Sequence, residues 1–277
     1  MDSQLRNKIA VVTGASRGLG RCVAVRLARS GAKVVLVARS VSPLDELTAT
    51  IEKDGGTALA VVADVQNPEA VERLRTTVES QLGKPSILVN AAGIFGPIQR
   101  IAESSPERWI ETILINLAGP YLTCRAFLAG MLEMRWGRIV NFSSAAAFHQ
   151  PGPLNSAYAT SKVGLNQFTR HLAAETAGTG VTANVIHPGD VKTEMWAAIR
   201  DEANRAGPEA MAFREWVDWV NQTGGDDPGK AADLVLRLLV GEESASINGQ
   251  FLWIEGGLQA PISGWTESAG SQPWVKP

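Results

Sequence analysis

The chain has 277 residues, long enough to bury a large core and short enough for one α/β domain. Hydrophobic residues make up 45% and charged residues 19%, which excludes a disordered polymer. The net charge of −2 gives no electrostatic case for nucleic acid or an anionic membrane. Cys22 and Cys124 lie far apart and outside any Cys-x-x-Cys or Cys/His cluster, so they read as free thiols in a reducing compartment, with no metal site. No apolar run reaches the roughly 18 residues of a membrane span. The polar stretch Met1–Lys8 lacks the apolar centre of a signal peptide, so a cytoplasmic protein is expected.

In chain order, Ile9–Val12 is a short β-branched run that reads as a strand buried on both faces. A helical pattern follows from Leu19 to Ser30, stopped by Gly31. Lys33–Val37 is a second strand, Leu44–Asp54 a second helix and Ala58–Ala63 a third strand. Pro68–Leu82 is a third helix, with proline at its start and Gly83 after its end. Ile87–Val89 is a fourth strand. A long helical segment runs from Pro106 to Met134, then Arg138–Phe142 is a strand. Ser156–Ala177 and Ala231–Leu239 are helices, and Val181–Ile186 and Gln250–Ile254 are strands. This alternation predicts right-handed crossovers and a single doubly wound parallel sheet of about seven strands, with helices on both faces, over residues 1–257.

Two regions interrupt the pattern. Residues 194–225 form an aromatic insertion with Trp196, Met211, Phe213, Trp216 and Trp219, which reads as a mobile lid or, equally, as a packed helical pair. Residues 258–277 form a tail that either reaches a neighbouring subunit or is disordered.

Two motifs carry chemistry. The turn after the first strand, Thr13-Gly14-Ala15-Ser16-Arg17-Gly18-Leu19-Gly20, has glycines where a tight turn and close approach to a phosphate need them. The helix that follows points free N–H groups and its positive dipole end at an anion. Further on, Tyr158 and Lys162 are four residues apart and share a helix face. A phenol is a weak acid at neutral pH, and an ammonium beside it favours the phenolate and lowers its pKa. Ser144, at the carboxyl end of the strand Arg138–Phe142, supplies a hydroxyl at the edge where open α/β sheets bind ligands.

The spacing Gly14-x-x-x-Gly18-x-Gly20 resembles the short-chain dehydrogenase/reductase family. The resemblance covers about Lys8 to Gly257 and includes Asn90-Ala91-Ala92-Gly93, Asn116, Ser144, Tyr158 with Lys162, and Pro188-Gly189 followed by Thr193. It implies an oxidoreductase that interconverts a ketone or aldehyde and an alcohol by hydride transfer. Ser144 and Tyr158 would bind the carbonyl oxygen, Tyr158 would act as general acid/base, and Lys162 would tune it and hold the nicotinamide ribose. Asn116 would complete the catalytic set through a water on its carbonyl. Pro120, four residues on, has no N–H to occupy that carbonyl, although a simple proline kink explains the pair as well.

The resemblance also implies a cofactor site of Gly14, Ser16, Arg17, Gly18, Leu19, Gly20, Asp64, Val65, Asn90, Ala91, Gly93, Pro188, Gly189, Val191 and Thr193, besides Tyr158 and Lys162. The second strand ends at Ala38 rather than at a carboxylate, and Arg39 and Ser40 follow. With Arg17 they suit a 2′-phosphate, so NADP(H) is expected over NAD(H). Phe95, Phe148, Gln150 and Trp196 are expected to touch a small-molecule substrate. Arg200, Arg205 and Arg214 could meet an anionic substrate, but interleaved acids favour ion-paired helix faces. His149 and His187 are not expected to act as bases. The resemblance implies a homotetramer or homodimer. A non-catalytic nucleotide sensor has no need of Ser144, Tyr158 and Lys162 together, and lyase relatives usually lack the glycine turn.

Overall fold

Short runs rich in Val, Ile and Leu become the strands, because such side chains can be buried on both faces of a parallel sheet. The computed structural model describes residues 4–148, 152–241 and 243–254, and the backbone of 257–258. β1 (Ile9–Thr13), β4 (Ile87–Asn90), β5 (Gly137–Phe142) and β6 (Val181–His187) are buried at every position. β2 (Lys33–Ala38) has an exposed first residue, and β3 (Thr57–Val62), at the sheet edge, is only partly covered. Together with β7 (Phe251–Trp253) they form a parallel sheet in the order β3-β2-β1-β4-β5-β6-β7. A two-residue β8 (Gly257–Leu258) adds an antiparallel edge. The expected seven parallel strands are present; β8 starts at the boundary assigned to the tail, and residues 259–277 lie outside the described residues.

Strand alternation divides the core in two. On one face Ala10, Val12, Val34 and Leu36 pack on α1 (Gly18–Arg29), α2 (Val41–Lys53) and α9 (Pro228–Val240) through Val23, Leu27, Leu44, Leu47 and Val235. On the other, Val11, Val35, Leu88 and Ile139 meet α3 (Pro68–Gln81), α5 (Gly119–Glu133) and α6 (Ser156–Glu175) through Leu74, Val78, Phe127, Met131 and Leu172. The strand order reverses between β1 and β4. The turns after these two strands therefore flank a crevice at the carboxyl edge of the sheet.

The long helix is not continuous α-helix. α4 (Pro106–Ile113) and α5 are joined by a π-helical turn over Leu114–Ala118. Pro120 removes the N–H that would bond the Asn116 carbonyl in an α-helix, and widening of the turn beside it is the expected relief. By length and mean hydropathy the combined helix Pro106–Glu133 could cross a membrane, but its α5 half lines the core against the sheet.

The aromatic insertion is a packed helical hairpin of α7 (Glu194–Ala206), a 3-10 turn (Gly207–Ala210) and α8 (Met211–Thr223). Trp196, Ile199, Ala203, Val217 and Val220 make a separate small core over Ile98 and Leu154. The hairpin leaves and rejoins the sheet at one place. Val191 bridges Gly225, and Asp226 N donates to Asp190 O at 3.0 Å.

Candidate active site

The glycine turn between β1 and α1 is shaped by what surrounds it. Gly14 has φ +68°, and a Cβ there would stand 2.8 Å from Ala92 Cα. A Cβ on Gly20 would stand 2.3 Å from the Gly14 carbonyl oxygen. Only glycine lets the turn close this tightly on itself and on the turn after β4. α3, α4 and α9 start on side-chain caps from Asn67, Ser105 and Asp227. α1 starts at Arg17 with no side-chain cap, which suits its first N–H groups to an anion.

A cleft of about 200 Å³ runs along this edge. Gly14, Ser16, Arg17, Gly18, Leu19, Gly20, Arg39, Asp64, Val65, Ala91, Gly93, Tyr158, Lys162, Pro188 and Thr193, all named from the sequence, line it. A larger, shallower groove of about 670 Å³ between α1 and α9 holds none of these residues. Arg17 and Arg39 are exposed and have no carboxylate partner among the described residues. The glycine cradle, uncapped α1 and two unpaired guanidiniums fit a dinucleotide with an additional phosphate.

At the inner end, Tyr158 and Lys162 on α6 are 8% and 4% exposed. Ser144 stands near enough to the Tyr158 hydroxyl to act on its proton affinity, and its Oγ accepts from Ala146 N at 3.2 Å. Lys162 Nζ donates to Phe142 O at 2.7 Å, at the end of β5, and lies 5.5 Å from the centre of the Tyr158 ring. Burial pushes the Tyr158 phenol up to about 12, with the Ser144 hydroxyl opposing the rise and the Asp190 charge adding to it. Burial lowers Lys162 to about 8. The cost of burying the phenolate dominates here, and Lys162 is itself desolvated and held on the Phe142 carbonyl.

Behind the pair, Asn116 is fully buried. Its Nδ2 donates to Ile94 O at 2.8 Å and Ser161 Oγ at 3.1 Å, and its Oδ1 accepts from Ile94 N at 2.9 Å. Ser161 Oγ in turn donates to Tyr158 O at 2.7 Å. One amide therefore ties the turn after β4 to α6. Ser143 donates its hydroxyl to Asn166 Oδ1 at 2.5 Å and its N–H to Ile186 O at 2.9 Å.

Several expected contacts lie elsewhere. Asn90 does not line the cleft: its side chain bonds Asn141 Oδ1 at 2.9 Å and Thr123 Oγ1 at 2.8 Å in a buried polar chain under the sheet. Ser40 is an exposed residue before α2 and is absent from the cleft wall. Gly189 and Val191 are also off the wall. Gly189 has φ +86° and a Cβ there would meet Ile254 at 2.3 Å, while Val191 bridges Gly225. Phe148 packs edge-on to Phe251 at 4.1 Å between ring centres. Trp196 is buried between α7 and α8, donating to Val217 O at 3.3 Å, because it sits on the i, i+3, i+7 stripe with Ile199 and Ala203. Gln150 and His149 fall outside the described residues. His187 stacks edge-on to Trp253 at 4.7 Å, and its Nδ1 accepts from Ala145 N at 3.3 Å.

Phe95 does reach the site. Its ring lies 4.6 Å from the Tyr158 ring, tilted by 31°, with Phe213 of α8 edge-on behind it at 5.8 Å. The cleft wall also holds Val37, Ala38, Ala63, Ala92, Ile94, Ile115, Phe142, Ser143, Glu194 and Met195, which the sequence did not single out as contacts. Met195 both packs on the hairpin core and lines the cleft, a double role that its place next to Trp196 in the sequence does not reveal.

The family model for short chain dehydrogenases matches residues 8–204. The chain belongs to the short-chain dehydrogenase family. Among curated members, a short chain dehydrogenase of Pseudocercospora fijiensis is 37% identical over 210 residues, 75% of this chain and 67% of that one. The 3-oxoacyl-acyl-carrier-protein reductase FabG of Pseudomonas aeruginosa is 34% identical, over 92% of this chain and 98% of its own. Among solved structures, a variant of actinorhodin polyketide ketoreductase with NADPH superposes with a TM-score of 0.81 at 31% identity, covering 91% and 97% of the two chains. A metagenomic short-chain oxidoreductase in complex with NADP gives 0.70 at 31% identity over 90% and 95%. This dehydrogenase is accordingly an oxidoreductase with the family's doubly wound fold.

Proposed function

We propose that this dehydrogenase is a cytoplasmic, NADP(H)-dependent enzyme that interconverts a ketone or aldehyde and its alcohol. The feature that carries the reading is the cleft of the glycine turn, at whose inner end a buried Tyr158 stands near Ser144, with Lys162 one turn away and held on the Phe142 carbonyl. The relatives solved with NADPH and NADP support the cofactor assignment, as do Arg17 and Arg39 in the cleft wall. Gly14, Gly18, Gly20 and the start of α1 would hold the pyrophosphate. Arg17 and Arg39 would hold the 2′-phosphate, Asp64 and Val65 the adenine side, and Ala91, Gly93, Pro188 and Thr193 the nicotinamide half.

When bound, NADPH supplies the hydride for the carbonyl carbon. Tyr158 Oη and Ser144 Oγ hydrogen-bond the carbonyl oxygen, and Tyr158 Oη donates the proton that completes the alcohol. Lys162 Nζ, fixed by the Phe142 carbonyl, stands where it can meet ribose hydroxyls and stabilise the phenolate left behind. A water on the Asn116 carbonyl would return the proton. The α7–α8 hairpin serves as the substrate cover and keeps solvent from Tyr158.

The test is Tyr158→Phe. Loss of the proton donor should lower NADPH-dependent carbonyl reduction by roughly 10²- to 10⁴-fold. NADPH binding, followed by nucleotide fluorescence, should stay within about twofold of the parent. Turnover retained in Tyr158→Phe would sink the mechanism.

The assembly is proposed to be a homodimer or homotetramer. Ile110, Leu114 and Tyr121 are large exposed apolar residues along α4 to α5, and Val163 is another on the adjoining α6.

A further inference from the structure

The chemistry around Tyr158 narrows the substrate, on the proposed reading of Tyr158 as the proton donor. Phe95 covers the Tyr158 ring, Phe213 stands edge-on to Phe95, and both rings are partly buried against the core of the α7–α8 hairpin. The surroundings are apolar. Met195 lines the cleft, and Ile98 and Leu154 back the hairpin.

Apart from Lys162 beside Tyr158, the charged groups around this wall offer an anion little to bind. The cations of α7 and of the segment facing it are already ion-paired: Arg100 with Glu209, Arg108 and Arg205 with Glu202, and Arg200 with Asp201. Lys192 is bonded to Asn221 at 2.8 Å and lies over Trp196. Arg214 has no carboxylate partner among the described residues, but one residue past Phe213 it is turned about 100° from the ring that meets Phe95. On the other side, Asp190 accepts from Trp216 Nε1 at 3.1 Å, and its charge is felt at Tyr158.

We propose that the reacting carbonyl is carried on a flat, uncharged aromatic ring, and that Phe95 and Phe213 select that ring while Asp190 turns away anions. The substrate ring would extend the stack begun by Phe95, with its carbonyl reaching Tyr158 Oη. Offset or edge-to-face ring contacts add to plain apolar burial, which a saturated ring of the same shape obtains equally.

The experiment compares kcat/KM for acetophenone and cyclohexyl methyl ketone in the full-length enzyme with NADPH. Comparing the ratio between parent and variant cancels the intrinsic reactivity of the two ketones. Phe213→Leu should lower the acetophenone preference roughly three- to tenfold. Phe213→Tyr, which keeps the ring, should hold it. Arg214→Ala should leave both substrates unchanged. The parent enzyme should also reduce 4-acetylbenzoate at least about tenfold less efficiently than acetophenone, with Asp190→Asn narrowing the gap. An unchanged ratio in Phe213→Leu, or 4-acetylbenzoate reduced as well as acetophenone, overturns this inference and leaves the carbonyl reductase reading standing. If NADPH binds but no carbonyl is reduced, both fall.

Discussion

Tyr158 and Lys162 stand one turn apart on α6, and burial moves their proton affinities in opposite directions. The consequence for stability can be worked out by sign. The unfolded chain holds the Lys162 proton up to its ordinary 10.5, whereas the folded protein releases it at about 8. Between those values the unfolded state binds more protons, so stability rises with pH across that window, and below it the full cost of a buried ammonium is present. Lys162→Met removes this dependence. Relative to that variant the cofactor-free parent should gain on the order of 3 kcal/mol between pH 8 and 10.5. Urea denaturation at a series of pH values measures it, and parallel curves for the two proteins would contradict it. For Tyr158 the sign is reversed: the folded phenol keeps its proton to about 12, so its contribution is lost as pH climbs from 10.

At the level of elements, the π-turn over Leu114–Ala118 gives Asn116 its place. Its amide makes three hydrogen bonds, two to Ile94 and one to Ser161, in a site with no exposure. Asn116→Ala leaves the Ile94 N–H and carbonyl without partners, so a loss of about 2–4 kcal/mol is expected in chemical denaturation. Activity should fall more than stability accounts for, because Ile94 carries Phe95 and lines the cleft. A variant as stable as the parent would show that these bonds are replaced by water.

The strands and most helices were legible in the sequence because parallel strands demand unbroken apolar runs, and helix ends carry signals such as Asn67-Pro68. Gly14, Gly20, Tyr158 and Lys162 were legible because their spacing is itself geometric. The π-turn was not, since Asn116 and Pro120 in sequence permit either a kink or a widened turn. Trp196 and Phe148 were assigned to substrate by size and aromaticity, properties that a core shares with a pocket. Asn90 and Val191 sit at the sheet edge as expected, but a residue's position along a strand or turn does not fix which face its side chain takes.

For the whole molecule, the exposed apolar residues of α4, α5 and α6 bear on assembly. Tyr121 is 47% exposed and packs edge-on to Phe168 of α6, at 6.1 Å between ring centres. A charge placed there meets water in a monomer and a desolvated surface in an oligomer. Tyr121→Glu should therefore reduce the mass measured by light scattering after size-exclusion chromatography, with little change in NADPH affinity. An unchanged mass would move the interface elsewhere. These exposed residues and the buried side chains of α5 together give the helix Pro106–Glu133 the hydropathy of a membrane span.

The place where the α7–α8 hairpin joins the sheet has a wider meaning. Val191 and Gly225 are paired, and Asp190 and Asp226 are bonded through Asp226 N to Asp190 O and Asp190 N to Asp226 Oδ2. The hairpin is thus a handle whose two ends meet, with a core of its own. A handle of this kind can be lengthened, shortened or exchanged without redirecting β6 or α9. On the proposed reading of the hairpin as the substrate cover, the sheet edge that holds Tyr158 and the glycine turn is a fixed socket, and substrate range is a property of an interchangeable part.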